Sequence, residues 1–252
     1  MFERLLLMGS PGSGKSQQLI NVAKYLEPMG IKMYAIDLED KLEAMLINLG
    51  TPKNLDLNVA FTWEELKTGY KDEKGKDVES VADKIVRLSK PGEWIAIDRV
   101  DLSWPMVQRW YTQAKYQEEL SDLMLAKAKN IKKSFMVAPR FDQGSWQVIN
   151  EAYESFILAI MYKSRCNILM TTGIKVPEDN PMDIYGSLKV APRGQKELPH
   201  QPHSTFLLSQ DKVGRTLNWY MTTGKDLPGR RWFDREDLFD FSIQYLDEYY
   251  KV

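Results

Sequence analysis

Apolar residues along the chain alternate between short unbroken runs and stretches with a helical repeat. Arg4–Met8 is an apolar run ahead of a glycine-rich turn and predicts a buried strand. Over Lys15–Leu26 the residues Leu19, Ile20, Val22, Ala23 and Leu26 recur at helical spacing. A second strand is predicted over Ile31–Ile36, a helix over Leu42–Leu49 stopped by Gly50, and a short third strand over Leu57–Phe61. Lys67–Asp77 is charged and contains glycine, which predicts an exposed loop. A helix over Val78–Leu88 ends before Pro91-Gly92, and a strand over Trp94–Ile97 follows.

The second half is less regular. Trp104–Lys133 is long, aromatic and charged and predicts helix; Ser134–Ser145, with Pro139 and Gly144, reads as a connector. Trp146–Lys163 has the pattern of an amphipathic helix and Asn167–Thr172 that of a strand. Val176–His203 holds Pro177, Pro181, Pro192, Pro199 and Pro202 and predicts a long loop, a feature that in a compact domain usually serves function. Strands over Thr205–Leu208 and Leu217–Thr222 are joined through Asp211-Lys212-Val213-Gly214, and an acidic helix is expected over Arg235–Tyr250. Strands alternating with helices imply a mainly parallel sheet with right-handed crossovers, and the last two strands an antiparallel edge. The expected fold class is α/β, one domain over residues 1–252 with a helical insertion near 103–145 and a long loop near 174–203.

Composition narrows the function classes. Of 252 residues 43% are hydrophobic and 27% charged, which is ordinary for a globular chain with a sizeable core. Lys plus Arg number 34 against 35 for Asp plus Glu, a net charge of -1 that excludes a wholly basic nucleic-acid coat while leaving room for a local basic patch. The single cysteine, Cys166, has no partner for an internal disulfide, and no Cys/His cluster has zinc-finger spacing, as expected in a reducing compartment. No run of about 18 apolar residues occurs, and MFERLLLMGS does not read as a signal peptide, so a cytoplasmic protein without a membrane span is expected.

The chemistry begins at Gly9-Ser10-Pro11-Gly12-Ser13-Gly14-Lys15-Ser16, which matches G-x-x-x-x-G-K-[ST] between a predicted strand and a predicted helix. The glycines let backbone N–H groups turn inward on phosphate oxygens at a helix N-terminus. Lys15 then serves the β- and γ-phosphates and Ser16 a Mg²⁺ ion, against the bland alternative of a glycine-rich turn with a chance lysine. A P-loop strand needs a neighbouring strand with an acid for the metal shell, and Trp94-Ile95-Ala96-Ile97-Asp98 offers Asp98 at the same sheet edge, unless it merely caps the next turn. Arg99 follows Asp98 where many P-loop ATPases carry glutamate, so either the protein hydrolyses poorly or the carboxylate that activates water comes from another strand. Ala35-Ile36-Asp37-Leu38-Glu39-Asp40 ends a strand in three acids, with Glu39 as the first candidate and Asp37 or Asp40 as alternatives; a solvated turn and helix cap is the plain reading. No base-reading motif such as N-K-x-D decides between ATP and GTP.

Together these residues resemble the RecA/RadA family of P-loop ATPases. The order matches as well as the motif: after the P-loop helix come Gly30-Ile31-Lys32, a strand ending in Ile36-Asp37-Leu38-Glu39, a helix ending in Leu49-Gly50, then strand, helix and the Asp98 strand. Arg193-Gly194-Gln195-Lys196-Glu197-Leu198-Pro199-His200 ahead of Ser204-Thr205-Phe206-Leu207-Leu208 resembles the family's DNA-binding loop leading into a hydrophobic strand. Lys212-Val213-Gly214-Arg215 resembles its basic hairpin, and Thr171-Thr172-Gly173 stands where an amide or histidine is usual. In size the chain is most similar to phage-encoded RecA-like single-strand annealing ATPases. The resemblance implies a RecA-like P-loop NTPase fold, ATP and Mg²⁺ as cofactors, and action on single-stranded DNA in recombination, annealing or replication. It further implies a homo-oligomer, ring or filament, in which Lys212, Arg215 or Lys225 acts in trans on the γ-phosphate, in host cytoplasm if phage-encoded.

Candidate DNA contacts fall in two clusters. Lys127, Lys129, Lys132, Lys133 and Arg140 occur among Leu123–Phe141 without an acid, with Phe135, Phe141 and Trp146 as stacking platforms, the pattern of a single-strand groove or else a solvated helix with core aromatics. Lys189, Arg193 and Lys196 lie in the long loop, while Arg230-Arg231, His200 and His203 carry no assigned role. The acidic end of the chain, six acids against two bases over Asp234–Val252, reads as a solvated face. Two other classes remain open: a nucleotide-gated interaction protein with little turnover, which Arg99 favours, and a small-molecule or nucleotide kinase, for which the arginine-rich lid is missing.

Overall fold

The computed structural model describes residues 2–117, 141–176, 188–213 and 216–250. Six strands run parallel: β1 (Arg4–Gly9), β2 (Met33–Asp37), β3 (Leu55–Val59), β4 (Trp94–Asp98), β5 (Asn167–Thr172) and β6 (Ser204–Val213). β7 (Thr216–Asp226) and the short β8 (Glu236–Asp237) add an antiparallel edge, giving the order β8-β7-β6-β1-β5-β4-β2-β3. The expected α/β class is met. Because β1 to β6 share one direction, their carboxyl ends meet at one edge, where ligands of such sheets bind.

Burial of both faces explains why the central strands β1, β2, β4 and β5 read as apolar runs rather than alternations. Leu5 and Leu7 of β1, with Trp94 and Ala96 of β4, enter the layer formed by α1 (Lys15–Leu26), α2 (Leu42–Leu49) and the C-terminal helical turns. Leu6, Ile95, Ile97, Ile168 and Met170 enter the opposite layer, against α3 (Val81–Leu88), α4 (Ser103–Tyr116) and α5 (Gln143–Leu158). The period-2 alternation of a strand thus divides one sheet between two cores.

Three expectations are corrected. The helix expected from Val78 starts at Val81, because Ser80 caps it by accepting from the Asp83 N–H, while Asp77–Val78 pairs with Tyr70–Lys71 as a small hairpin inside the expected loop. The helix expected over Trp104–Lys133 ends at Tyr116, where Gln117 turns left-handed at φ 55°; residues 118–140 lie outside the described residues. Of the aromatics expected as base-stacking platforms, Phe141 is half-buried and Trp146 is exposed, and the two join a ring cluster: Trp104 stacks on Trp146 at 6.1 Å and Phe141 meets its edge at 5.0 Å. At the C-terminus, β8 occupies the start of the expected Arg235–Tyr250 helix, and turns over Ser242–Leu246 continue into α6 (Asp247–Tyr250). That segment is no solvated appendage, since Phe241, Tyr245 and Leu246 are fully buried around Phe206 and Phe233.

Candidate nucleotide site

The loop after β1 is shaped by what each position tolerates. A Cβ at Gly9 would collide with the Leu208 carbonyl and the Ser13 side chain, so only glycine passes here. Gly12 and Gly14 sit at φ 81° and 88°, a region that L side chains rarely enter. Gly14 precedes α1, whose first turn carries no acid, so its free N–H groups and positive dipole end face the cleft. Lys15 is buried and its ammonium donates to the Gly9 carbonyl (2.9 Å), the Ser10 carbonyl (2.8 Å) and Ser13 Oγ (3.2 Å). Burial pulls its pKa down, helped by the Arg99 charge and opposed by Asp98, Asp101 and Glu39.

Asp98 ends β4 fully buried, and Ser16 Oγ donates to its Oδ2 at 2.9 Å. The expectation that its strand neighbours the P-loop strand is corrected: β5 lies between β1 and β4. That inserted strand supplies Thr171, whose hydroxyl donates to Asp98 Oδ1 and accepts the Arg99 N–H at 2.9 Å. Burial pushes the Asp98 carboxyl up, with Asp37 and Glu39 acting the same way, while the Thr171 and Ser16 hydroxyls pull it down. A hydroxyl and a buried carboxylate at the end of a phosphate loop form a donor set suited to a hard cation such as Mg²⁺, so Ser16 and Asp98 are the residues that would hold it.

The three acids after β2 separate by geometry. Asp37 Oδ1 accepts the N–H groups of Glu39 and Asp40, and Oδ2 those of Lys41 and Leu42, so its lone pairs are committed to the turn that starts α2. Asp40 is exposed, at φ 57°. Glu39 lines a cleft of about 360 Å³ together with Gly12, Gly14, Lys15, Ser16, Gln17, Lys41 and Arg99. Its Oε1 accepts from Arg99 Nη1 at 2.7 Å and lies 3.0 Å from Lys41 Nζ. The same guanidinium grips the buried Asp101 through Nε and Nη2, both at 3.0 Å.

Among the described residues, the candidate DNA and trans positions do not gather at one place. Lys189, Arg193 and Lys196 are exposed; Arg193 lines a smaller cleft of about 110 Å³ with Ser10, Pro11, Lys15, Arg99, Gly173 and Ile174, next to the phosphate loop. Lys212 is exposed near the tip of the β6–β7 hairpin, whereas Lys225 sits at its other end, donating to the Pro202 carbonyl at 2.7 Å, with its pKa lowered by burial. Lys127, Lys129, Lys132, Lys133, Arg140 and Arg215 lie outside the described residues. A larger groove of about 580 Å³, lined by Arg231, Arg235, Phe239 and Ile243 among others, lies along the C-terminal segment, away from the P-loop. Among the described residues no group of three or more metal-binding side chains occurs, and no helix is long and apolar enough to cross a membrane.

Three residues of this site carry weak sequence signals. Thr171 is an ordinary strand end, and Asp101 looks like one more acid in a turn. Trp219, whose indole N–H donates to the Gly12 carbonyl at 3.2 Å, is 207 residues away from that loop in the chain.

No family model matches the chain, and no curated protein matches it. Among solved structures, a KaiC-like protein from the hyperthermophilic archaeon Pyrococcus horikoshii OT3 is similar, with a TM-score of 0.49 at 12% identity over 94% of this chain and 86% of that one. The α/β architecture itself rests on this chain's own strand order and register.

Proposed function

We infer that the chain is a Mg²⁺-dependent P-loop ATPase of RecA-like type. The observation that carries this reading is the contact between Ser16 and Asp98 across 82 residues, placed beside Lys15 on a cleft also lined by Glu39. In this reading the loop N–H groups and Lys15 hold the phosphates, and Ser16 and Asp98 hold the ion. A water oxygen bonds to the γ-phosphorus, its proton passes to Glu39, and the bond to the bridging oxygen breaks to leave ADP. The RecA-like part of the reading places the protein in the cytoplasm as an oligomer on single-stranded DNA, with Lys189, Arg193 and Lys196, and the Lys127–Arg140 cluster, as phosphate contacts. Lys212, Arg215 and Lys225 are then candidates for a neighbour's γ-phosphate.

A second reading, a nucleotide-gated interaction protein with slow turnover, is favoured by one observation: Glu39 Oε1 is already engaged by two cations. ATP hydrolysis measured with and without single-stranded DNA at low and moderate salt separates the two. Strong, salt-sensitive stimulation supports the DNA reading; a slow rate indifferent to DNA supports the second. Lys15→Ala is expected to abolish hydrolysis in either case. Glu39→Gln is expected to retain nucleotide and lose turnover, and an active Glu39→Gln would pass the role to Asp40, Asp37 being committed to its turn.

A further inference from the structure

Arg99 directly follows Asp98, and its surroundings differ from those of a water-activating group. Its backbone is left-handed, at φ 61°, held there by the N–H bond to Thr171 Oγ1 at 2.9 Å, the same hydroxyl that donates to Asp98. The guanidinium has two usable edges. One is fixed by the bidentate pair with Asp101, which is only 2% exposed and packs under Gly173 and Gly194. The other edge, Nη1, is taken by Glu39 at 2.7 Å, and both partners remain about one-fifth to one-quarter exposed, at 19% and 26%. Arg99 lines both clefts that flank Lys15.

The two carboxylates therefore differ in kind. Asp101 is a buried anchor, whereas Glu39 lies on the open cleft where an entering phosphate would compete for the same N–H donors. A planar guanidinium binds carboxylate and phosphate oxygens with similar geometry, so exchange needs no rebuilding of the site. We propose that Arg99 is a γ-phosphate latch: it holds Glu39 in an ion pair until a triphosphate arrives, then transfers its Nη1 edge to the γ-phosphate and releases Glu39 from the guanidinium, leaving it paired with the exposed Lys41 alone. Arg99 thereby becomes the residue by which the cleft distinguishes ATP from ADP. This assignment rests on the nucleotide-site reading above.

The test is titration of the full-length protein with ATPγS and with ADP, each with Mg²⁺, for the wild type, Arg99→Gln, Arg99→Lys, Glu39→Gln and Lys15→Ala. Arg99→Gln is expected to weaken ATPγS binding at least about tenfold while ADP changes less than about twofold, a loss of roughly one charge-assisted contact. Arg99→Lys should recover part of that preference. Glu39→Gln, which leaves the Asp101 anchor intact and so does not depend on the fold surviving loss of Arg99, should tighten ATPγS severalfold relative to ADP by removing the competitor. Lys15-dependent binding with an unchanged ATPγS-to-ADP ratio in both Arg99→Gln and Glu39→Gln would overturn the latch alone. Binding of neither nucleotide by the wild type, or binding that survives Lys15→Ala, would overturn the nucleotide site and the latch with it.

Discussion

At the scale of single residues, Asp98 shows a site held against its own solvation. Burial raises its carboxyl above the ordinary value, so the folded chain binds that proton more tightly than the unfolded chain does. Stability contributed by this group is therefore present at low pH and is lost as pH rises through the window above the ordinary aspartate value. At neutral pH the charged form opposes folding. Asp98→Asn keeps a polar group between Ser16 and Thr171, whose hydroxyls either donate or accept. It is expected to raise the thermal midpoint at pH 7 by about 2–4 °C for each ~1 kcal/mol recovered. The gain should shrink towards pH 4, and Mg²⁺-nucleotide should no longer stabilise the variant. A lower midpoint at pH 7 would contradict this. Such a trade of stability for a charged site is common where function requires it.

At the scale of elements, the turn into α2 depends on one carboxylate. Asp37 satisfies four consecutive N–H groups that α2 and its turn leave unpaired, and that turn positions Glu39. Asp37→Ala is expected to lower stability by about 1–2 kcal/mol or more in urea unfolding, while Asp37→Asn, which keeps one accepting oxygen but turns an NH2 group toward two of these donors, should recover only part of that loss. The β6–β7 hairpin makes a comparable contact from the other side. Gln210 and Trp219 are cross-strand partners, and a Cβ built on Gly12 would lie 3.2 Å from the Gln210 amide. With its indole N–H on the Gly12 carbonyl, Trp219 is placed to register any movement of the phosphate loop. Addition of Mg²⁺-ADP is expected to change tryptophan emission in the wild type, and Trp219→Phe to remove most of that change.

At the scale of the whole molecule, the C-terminal segment closes the core that α1 and β6 begin. The Tyr245 ring lies 4.7 Å from Phe206, and its hydroxyl meets Ser204 and Asp226 at 3.0 and 2.8 Å. Tyr245→Ala should cost about 3–5 kcal/mol through the cavity it leaves. Tyr245→Phe should cost about 1 kcal/mol, and equilibrium unfolding distinguishes the two. The net charge of -1 means that any attraction for DNA must come from local patches rather than from the overall field. Replacing Lys189, Arg193 and Lys196 together by alanine is expected to flatten the log-affinity slope against log salt by about 2, at roughly 0.7 per phosphate contact on single strands. An unchanged slope would leave these three as solvated loop residues.

Much of this protein was legible in one dimension because its decisive signals are local. The P-loop spacing, helix Leu42–Leu49 with Gly50 behind it, helix Lys15–Leu26 and strand Asn167–Thr172 fall where the residue pattern puts them, since backbone hydrogen bonds and apolar periodicity act over a few positions. The end of β4 at Asp98 and the choice of α/β class followed for the same reason. What pairs across the sheet did not, because strand order is set by how two apolar faces are buried and not by distance along the chain. Only the tertiary structure placed β5 between β1 and β4, so that Thr171 joins Ser16 in holding Asp98. It committed Asp37 to a turn and left Glu39 on the cleft, and it joined Arg99 to Glu39 and Asp101. It also turned the acidic C-terminal segment into core, because Phe241, Tyr245 and Leu246 find an apolar face that the local charge pattern conceals.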